Sequence, residues 1–165
     1  MLLRFVAFLR MKKNELSLKA RALRYLSLRE YSRFELARKL TPYLTEHDEL
    51  EQVLDWLQSK GFLSDQRFSE ALVHRKSQRF GNQKILAELQ QHQLRDTDLS
   101  ELKLGLQESE AERATEVLHK KFPYTPVDQA ERFKQMRFLQ QRGFSSSSIQ
   151  HAMRASRQSD EHDDA

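Results

Sequence analysis

The sequence predicts an all-α protein of about nine short helices in tandem three-helix repeats, arranged as an elongated, curved monomer. Three observations predict it. Glycine (4) and proline (3) are scarce among 165 residues, and no segment alternates apolar and polar residues like a strand. Helix-start signals punctuate the chain at short intervals. The same apolar offsets also recur after three aromatic residues, the mark of a repeated small unit.

The elements follow in order. Met1 to Leu9 is apolar apart from Arg4. The run is too short for a signal-peptide core or a membrane span, so residues 1–15 read as an N-terminal extension, with Met11 an alternative start. Ser17 can cap a helix carrying Leu18, Leu23 and Leu26. Ser32 with Glu35 forms a capping-box pattern ahead of Leu36, Leu40 and Leu44. Thr45 is placed to cap a helix with Leu50, Val53, Leu54 and Leu57 that stops at Gly61. Ser64 or Asp65 opens a helix with Phe68 and Leu72 that ends before Gly81. Asn82 is the expected cap for Ile85, Leu86 and Leu89. A short helix is expected around Leu99 and Leu102, and Ser109 with Glu112 offers a second capping box ahead of Ala114, Val117 and Leu118. Pro123 ends that helix. Thr125 and Pro126 are the expected cap and first turn of a helix carrying Ala130, Phe133 and Leu139 that stops at Gly143. Ser145 to Ser148 cap a last helix with Ile149 and Met153.

The repeats show in the spacing. Tyr31 precedes Leu36 and Leu40 by the same offsets that separate Phe80 from Ile85 and Leu89, and Phe144 from Ile149 and Met153. A small residue follows each aromatic: Ser32, Gly81, Ser145. The aromatic plugs a helix junction, and the small residue lets the chain turn. A second echo pairs Leu57-Gln-Ser-Lys-Gly61-Phe62 with Leu139-Gln-Gln-Arg-Gly143-Phe144. The expected division is a repeat at 16–63, a second at 64–108, a third at 109–157, and a disordered acidic tail at 158–165.

Charge is segregated along the chain. The formal net charge of +4 conceals three basic stretches, residues 1–45 at +8, 67–95 at +4 and 117–157 at +6. Between and after them lie residues 46–66 at −5, 96–116 at −5 and 158–165 at −4. Blocks of this kind mark a surface for a polyanion or an acidic partner, where the alternative is a set of merely solvated helix faces. Binding candidates are basic residues drawn from these three stretches: Arg21, Arg24, Arg33, Arg38, Lys39, Arg75, Lys76, Arg79, Lys84, Arg132, Lys134, Arg137 and Arg142. Arg75 and Arg79 lie one turn apart and start a stripe that can meet phosphates or an acidic groove.

Enzyme chemistry finds no foothold. There is no cysteine, which removes disulfides and thiolate nucleophiles. His47, His74, His92, His119, His151 and His162 are scattered without metal-ligand spacing. The four glycines form no phosphate loop, and the serine run lacks the flanking glycines of a nucleophile elbow. No cofactor or metal is expected, and the absence of cysteine is compatible with a cytoplasmic setting.

Leu57-x-x-x-Gly61-Phe62-Leu63-x-Asp65-x-Arg67-Phe68, followed by Arg75, Gly81, Ile85 and Glu88-Leu89, resembles the central signature of the RecX regulators of the RecA recombinase. Ser32-x-x-Glu35-Leu36-x-x-Lys39-Leu40 and Leu139-x-x-Arg142-Gly143-Phe144-Ser145 resemble that family's flanking repeats. The likeness runs from about Leu16 to Met153. It departs at Gln93, where the family often has glycine. The resemblance implies tandem three-helix units, binding to the RecA–DNA filament, and inhibition of its ATPase, strand-exchange and coprotease activities in recombination and the SOS response. A helix-turn-helix DNA-binding protein and a helical protein-binding scaffold are the other readings. The first lacks a recognition helix with a separate dimerisation segment, and the second predicts binding indifferent to salt.

Overall fold

A computed structural model describes residues 16–46, 48–94 and 98–157. The N-terminal extension, His47, the acidic tail and His162 lie outside them. The described residues form eight α-helices and no strand: α1 Leu18–Leu26, α2 Arg33–Leu40, α3 Leu50–Ser59, α4 Asp65–Ser77, α5 Asn82–Gln91, α6 Ser100–Lys121, α7 Gln129–Gln141 and α8 Ser146–Arg154. A single 3-10 turn, Thr41–Tyr43, follows α2. Among the described residues, no helix is long and apolar enough to cross a membrane.

The chain divides into two units. Met1–Ser69 with His92–Thr97 form unit 1, and Glu70–Gln91 with Asp98–Ala165 form unit 2. In unit 1, α1, α2 and α3 pack on one another around Leu18, Ala22, Tyr31, Leu36, Leu40, Val53, Leu54, Leu57 and Leu63. In unit 2, the end of α6 packs with α7 and α8 around Ala114, Leu118, Leu139, Phe144, Ile149 and Ala152. Five of the six recurring offset positions, Leu36, Leu40, Ile85, Leu89 and Ile149, are buried, and the sixth, Met153, is only partly buried.

Several starts form as the sequence predicts. Ser17, Ser32 and Ser145 each accept a backbone N–H three residues on, and the Ser64 hydroxyl accepts from Arg67 N. Others differ. Thr45 caps nothing, because its own N–H and hydroxyl are donated to Asp48 at 2.8 Å, and α3 begins only at Leu50. Thr125 yields to Asp128, whose Oδ1 accepts from Glu131 N at 2.7 Å while Glu131 Oε2 accepts from Val127 N. Asn82 is the first residue of α5, where Gly81 O takes the N–H of Ile85. The Asn82 side chain is spent on Leu106 O and Arg113.

The largest difference is α6. The expected short helix at Leu99 and Leu102 and the expected start at Ser109 are one continuous helix of 22 residues, so the described residues hold eight helices. The boundary drawn at 108/109 falls in its interior. The Ser109 hydroxyl donates back to Gly105 O at 2.6 Å, which satisfies it inside a helix and leaves no cap to make. Continuity places Leu106, Glu110, Ala114 and Leu118 on one buried stripe at i, i+4, i+8 and i+12.

Candidate functional site

The corner of unit 2 is built first from backbone. Gly81 N donates to Arg142 O at 2.9 Å, and Gln83 N donates to Gly143 O at 3.1 Å. The Phe80-Gly81 turn thus lies directly on the Gly143-Phe144 turn. Buried Glu110 accepts from Asn82 N at 2.8 Å and from the Ser148 hydroxyl at 3.0 Å. Arg113 donates to Phe80 O at 2.9 Å, Leu106 O at 3.0 Å and Asn82 Oδ1 at 2.5 Å. Burial lowers the Arg113 pKa, opposed by Glu110 and Glu116.

This corner positions an open groove of about 660 Å³ lined by Gln78, Arg79, Glu116, Val117, Lys120, Lys121, Phe138 and Arg142. Arg79 comes from the turn after α4, Lys120 and Lys121 from the last turn of α6, and Arg142 from the end of α7. Four cations face one carboxylate, and no salt bridge engages any of the four among the described residues. The Arg142 guanidinium lies 3.7 Å from the Phe138 ring centroid. Burial lowers its pKa, and the charge of Arg79 lowers it further. A second groove, of about 710 Å³, shares Lys121 and Phe138 and adds Lys134, Arg137 and Phe133. Phe133, expected on the apolar face of its helix, is 64% exposed. Two adjoining basic grooves with aromatic floors offer hydrogen-bond donors, positive potential and ring faces, and no group poised for covalent chemistry.

The thirteen candidates fare differently. Arg79, Lys134, Arg137 and Arg142 come together in the two grooves of unit 2. Arg75, Lys84 and Arg132 are exposed on unit 2, and Arg24, Arg38 and Lys39 on unit 1. The other three are engaged inside the protein. Arg33 binds Glu51 at 2.6 Å and Asp55 at 2.7 Å and is only 12% exposed in its side chain. Burial opposes its charge, but those two carboxylates outweigh it and hold its pKa above the usual value. Lys76 pairs with Glu88 at 2.8 Å. Arg21 stacks on Tyr43 at 3.8 Å. Their partners stand on other elements, which a search for acids at helical spacing does not reach. Lys120 and Lys121 are not among the thirteen. The basic pair ahead of Pro123 is the sequence signal for Lys121.

Among the described residues, no group of three or more His, Asp or Glu is arranged to hold a metal. The family descriptions "RecX, first three-helix domain" and "RecX, third three-helix domain" match residues 19–57 and 108–153. "Regulatory protein RecX" from Herbaspirillum seropedicae is 56% identical over 86% of this chain and 92% of its own length. The protein of the same name from Herminiimonas arsenicoxydans is 52% identical over 92% of this chain and 100% of its own. The crystal structure of RecX from Lactobacillus salivarius has the same fold, with a TM-score of 0.63 at 21% identity, over 82% of this chain and 92% of that one. With three-helix units at both ends of the described chain and relatives of this closeness along its length, the chain belongs to the RecX family of regulatory proteins.

Proposed function

We propose that this chain binds the RecA–DNA filament in the cytoplasm and inhibits its ATPase, strand exchange and coprotease activity, acting as a clamp without chemistry of its own. Membership in a family of regulatory proteins supports the regulatory role. The observation that carries the binding mode is the set Arg79, Lys120, Lys121, Lys134, Arg137 and Arg142, six cations lining two adjoining grooves of one unit with no salt bridge to any of them among the described residues. A cationic groove of this kind is a standing source of polyanion affinity, because binding releases counterions from the nucleic acid.

The proposed organisation keeps the division at 16–63, 64–108 and 109–157, with α6 shared by the last two repeats. In this reading a monomer lies along the filament and touches neighbouring subunits through more than one repeat. Each contact is weak alone, and tethering raises avidity by roughly 10² to 10⁴.

The test uses preformed filaments that cannot exchange subunits. A groove clamp slows their ATPase at saturating protein. A protein that only caps filament ends leaves that ATPase unchanged and arrests growth at one bound copy per end, which would overturn the clamp. Replacing Arg79, Lys120 and Lys121 by alanine is expected to flatten the dependence of log affinity on log salt by about 0.7–0.9 for each phosphate that is no longer neutralised. An unchanged slope would remove the groove from the interface.

A further inference from the structure

Helix α7 inverts the usual placing of polar and apolar side chains. Its buried residues are Gln135 and Leu139, while Phe133 is 64% exposed. At 3.6 residues per turn, Phe133 stands about 200° around the helix from Gln135, on the outer side. The buried amide is served by Arg157, whose Nη1 donates to Gln135 Oε1 at 2.7 Å. A phenylalanine left in water beside a buried glutamine forgoes the stabilisation that burying its ring ordinarily supplies. Phe62, also exposed, at least lies against the Trp56 ring, 5.9 Å between centroids. Phe133 makes no ring or cation contact among the described residues.

The surroundings of the ring are cationic. Phe133 lines the groove of about 710 Å³ together with Lys121, Lys134 and Arg137, and no aspartate or glutamate lines it. Arg137 follows Phe133 at i+4, so the two side chains leave the same helix face about 5–6 Å apart. The amides of Gln140 and Gln141 line the same groove, and each both donates and accepts. A flat ring, a cation one turn away and amides of mixed polarity match the parts of one nucleotide: base face, phosphate and base edge. The positive lining continues into the adjoining groove, with Arg79, Lys120 and Arg142, through the shared Lys121.

We propose that Phe133 stacks on an unpaired base and makes these grooves select single-stranded over double-stranded nucleic acid. This rests on the reading of the grooves as a polyanion surface. In a duplex each internal base face is covered by the next base pair, so the ring has nothing to meet and the cations act alone. In a single strand a base turns onto the ring while its phosphate meets Lys134 or Arg137. Every base has a π face, so stacking selects for strandedness and not for sequence. Charge density alone favours the duplex, and a preference for the single strand therefore needs the ring. An acidic peptide with an apolar side chain is the competing occupant, and it leaves the two amides idle.

Phe133 is exposed, so replacing it leaves the core intact. The full-length protein is titrated with an oligothymidylate, with its blunt duplex, and with an abasic phosphodeoxyribose chain of the same length. The parent should prefer the oligothymidylate to the duplex. Phe133→Leu keeps an apolar side chain and loses the ring. It should bind the oligothymidylate about fivefold or more weakly, with an unchanged slope of log affinity against log salt, because no phosphate contact is lost. Its binding of the duplex and of the abasic chain should match the parent's. Phe133→Trp should restore the affinity. Equal affinity of parent and Phe133→Leu for the oligothymidylate overturns the proposal. So does an equal loss for the abasic chain, which would make Phe133 a support of the groove and not a stacking face. Parental binding in Phe133→Leu, with displacement of the oligothymidylate by an acidic, leucine-bearing peptide, assigns the groove to a protein partner and overturns it too. The alanine variant at Arg79, Lys120 and Lys121 keeps the two readings apart. An unchanged salt slope there refutes the grooves as an interface. A reduced slope there, with parental binding in Phe133→Leu, refutes the stacking alone.

Discussion

The same helix-ending turn occurs in both units, with different consequences. After α3, Gly61 N donates to Gln58 O at 2.9 Å and Phe62 N to Leu57 O at 2.9 Å. After α7, Gly143 N donates to Gln140 O at 3.0 Å and Phe144 N to Leu139 O at 3.3 Å. Both glycines have positive φ, +72° and +80°, as this paired-bond turn requires. Yet Phe62 is 47% exposed beside Trp56, and Phe144 is buried at 4%. Around Gly61 there is open space, whereas a Cβ on Gly143 would stand 2.9 Å from Lys84 N. Local sequence sets the turn, and tertiary partners set what the turn is worth.

The largest effect is expected at the partner glycine of that turn. A Cβ on Gly81 would lie 2.3 Å from Gly143 O and 2.3 Å from Phe144 N. Neither backbone group can rotate away, so Gly81→Ala should cost about 3 kcal/mol or more in urea unfolding. Gly61→Ala meets no atom and should cost only the left-handed backbone strain, about 1–2 kcal/mol. Equal losses would mean that the two turns are equally crowded, against the geometry.

Next come the carboxylates that hold the corners. Asp65 accepts from Arg33 N at 2.8 Å in unit 1, as Glu110 accepts from Asn82 N in unit 2. Glu110 also serves Ser148, with that hydrogen bond buried. Glu110→Ala strands the donors of Asn82 and Ser148 and should cost about 2–3 kcal/mol, and Asp65→Ala, which strands the N–H of Arg33, about 1–2 kcal/mol. A reversed order by thermal or urea melting would show that the corners do not bear the load assigned to them.

The fold was largely legible because helix caps and apolar spacing are local. Ser17, Ser32 and Ser145 act within four residues of themselves, and Leu36, Ile85 and Ile149 are marked by period alone. What stayed hidden depends on distant residues. The buried stripe of α6 includes Glu110, a charge that breaks the apolar pattern and is tolerated only because Asn82 and Ser148 donate to it. The site was legible in part for the same reason. Unit 1 belongs to the most basic stretch of sequence, yet Arg33 is neutralised from α3 and Arg29 by Glu35 at 2.5 Å, while Arg67 bonds Glu30 at 2.8 Å. The grooves of unit 2 keep their cations out of salt bridges among the described residues. Block charge therefore measures supply, and the fold decides what remains to bind.

That contrast predicts opposite phenotypes. Arg33→Ala leaves Glu51 and Asp55 facing each other without their cation. It should lower stability by about 1 kcal/mol and leave the salt dependence of filament binding unchanged. The triple alanine variant at Arg79, Lys120 and Lys121 should do the reverse. A weaker salt dependence in Arg33→Ala would return unit 1 to the interface.

A smaller, stabilising change is expected at Gln93. Gln93 follows α5 with φ +47°, the left-handed conformation of a helix-ending glycine. Relieving that strain in Gln93→Gly outweighs the added freedom of the unfolded chain and should give about 0.5–1 kcal/mol. A destabilised variant would show that the Gln93 side chain contributes more than its backbone costs.

The smallest effect is a pH dependence from unit 2. In unit 1, Nδ1 of His92 lies 3.0 Å from the Ser32 hydroxyl. In unit 2, Nε2 of His119 is buried with no hydrogen-bond partner among the described residues. Burial lowers the His119 pKa below its ordinary 6.5, and the positive charge of Arg157 lowers it further. The unfolded chain therefore takes up this proton first as the pH falls. At pH 8 both states are neutral at His119, which contributes nothing to the pH slope. As the pH drops through about 6.5 toward the folded value, the unfolded state binds more protons and stability is lost. The loss is read as the difference between parent and His119→Gln in urea midpoints at pH 8 and pH 5.5, with the parent losing more on acidification. Removing the neighbouring charge with Arg157→Gln should move the His119 titration, followed by NMR, back toward its ordinary value and shrink that difference. A His119 midpoint at or above 6.5 in the parent would show that its ring is solvated and that Arg157 does not press on it.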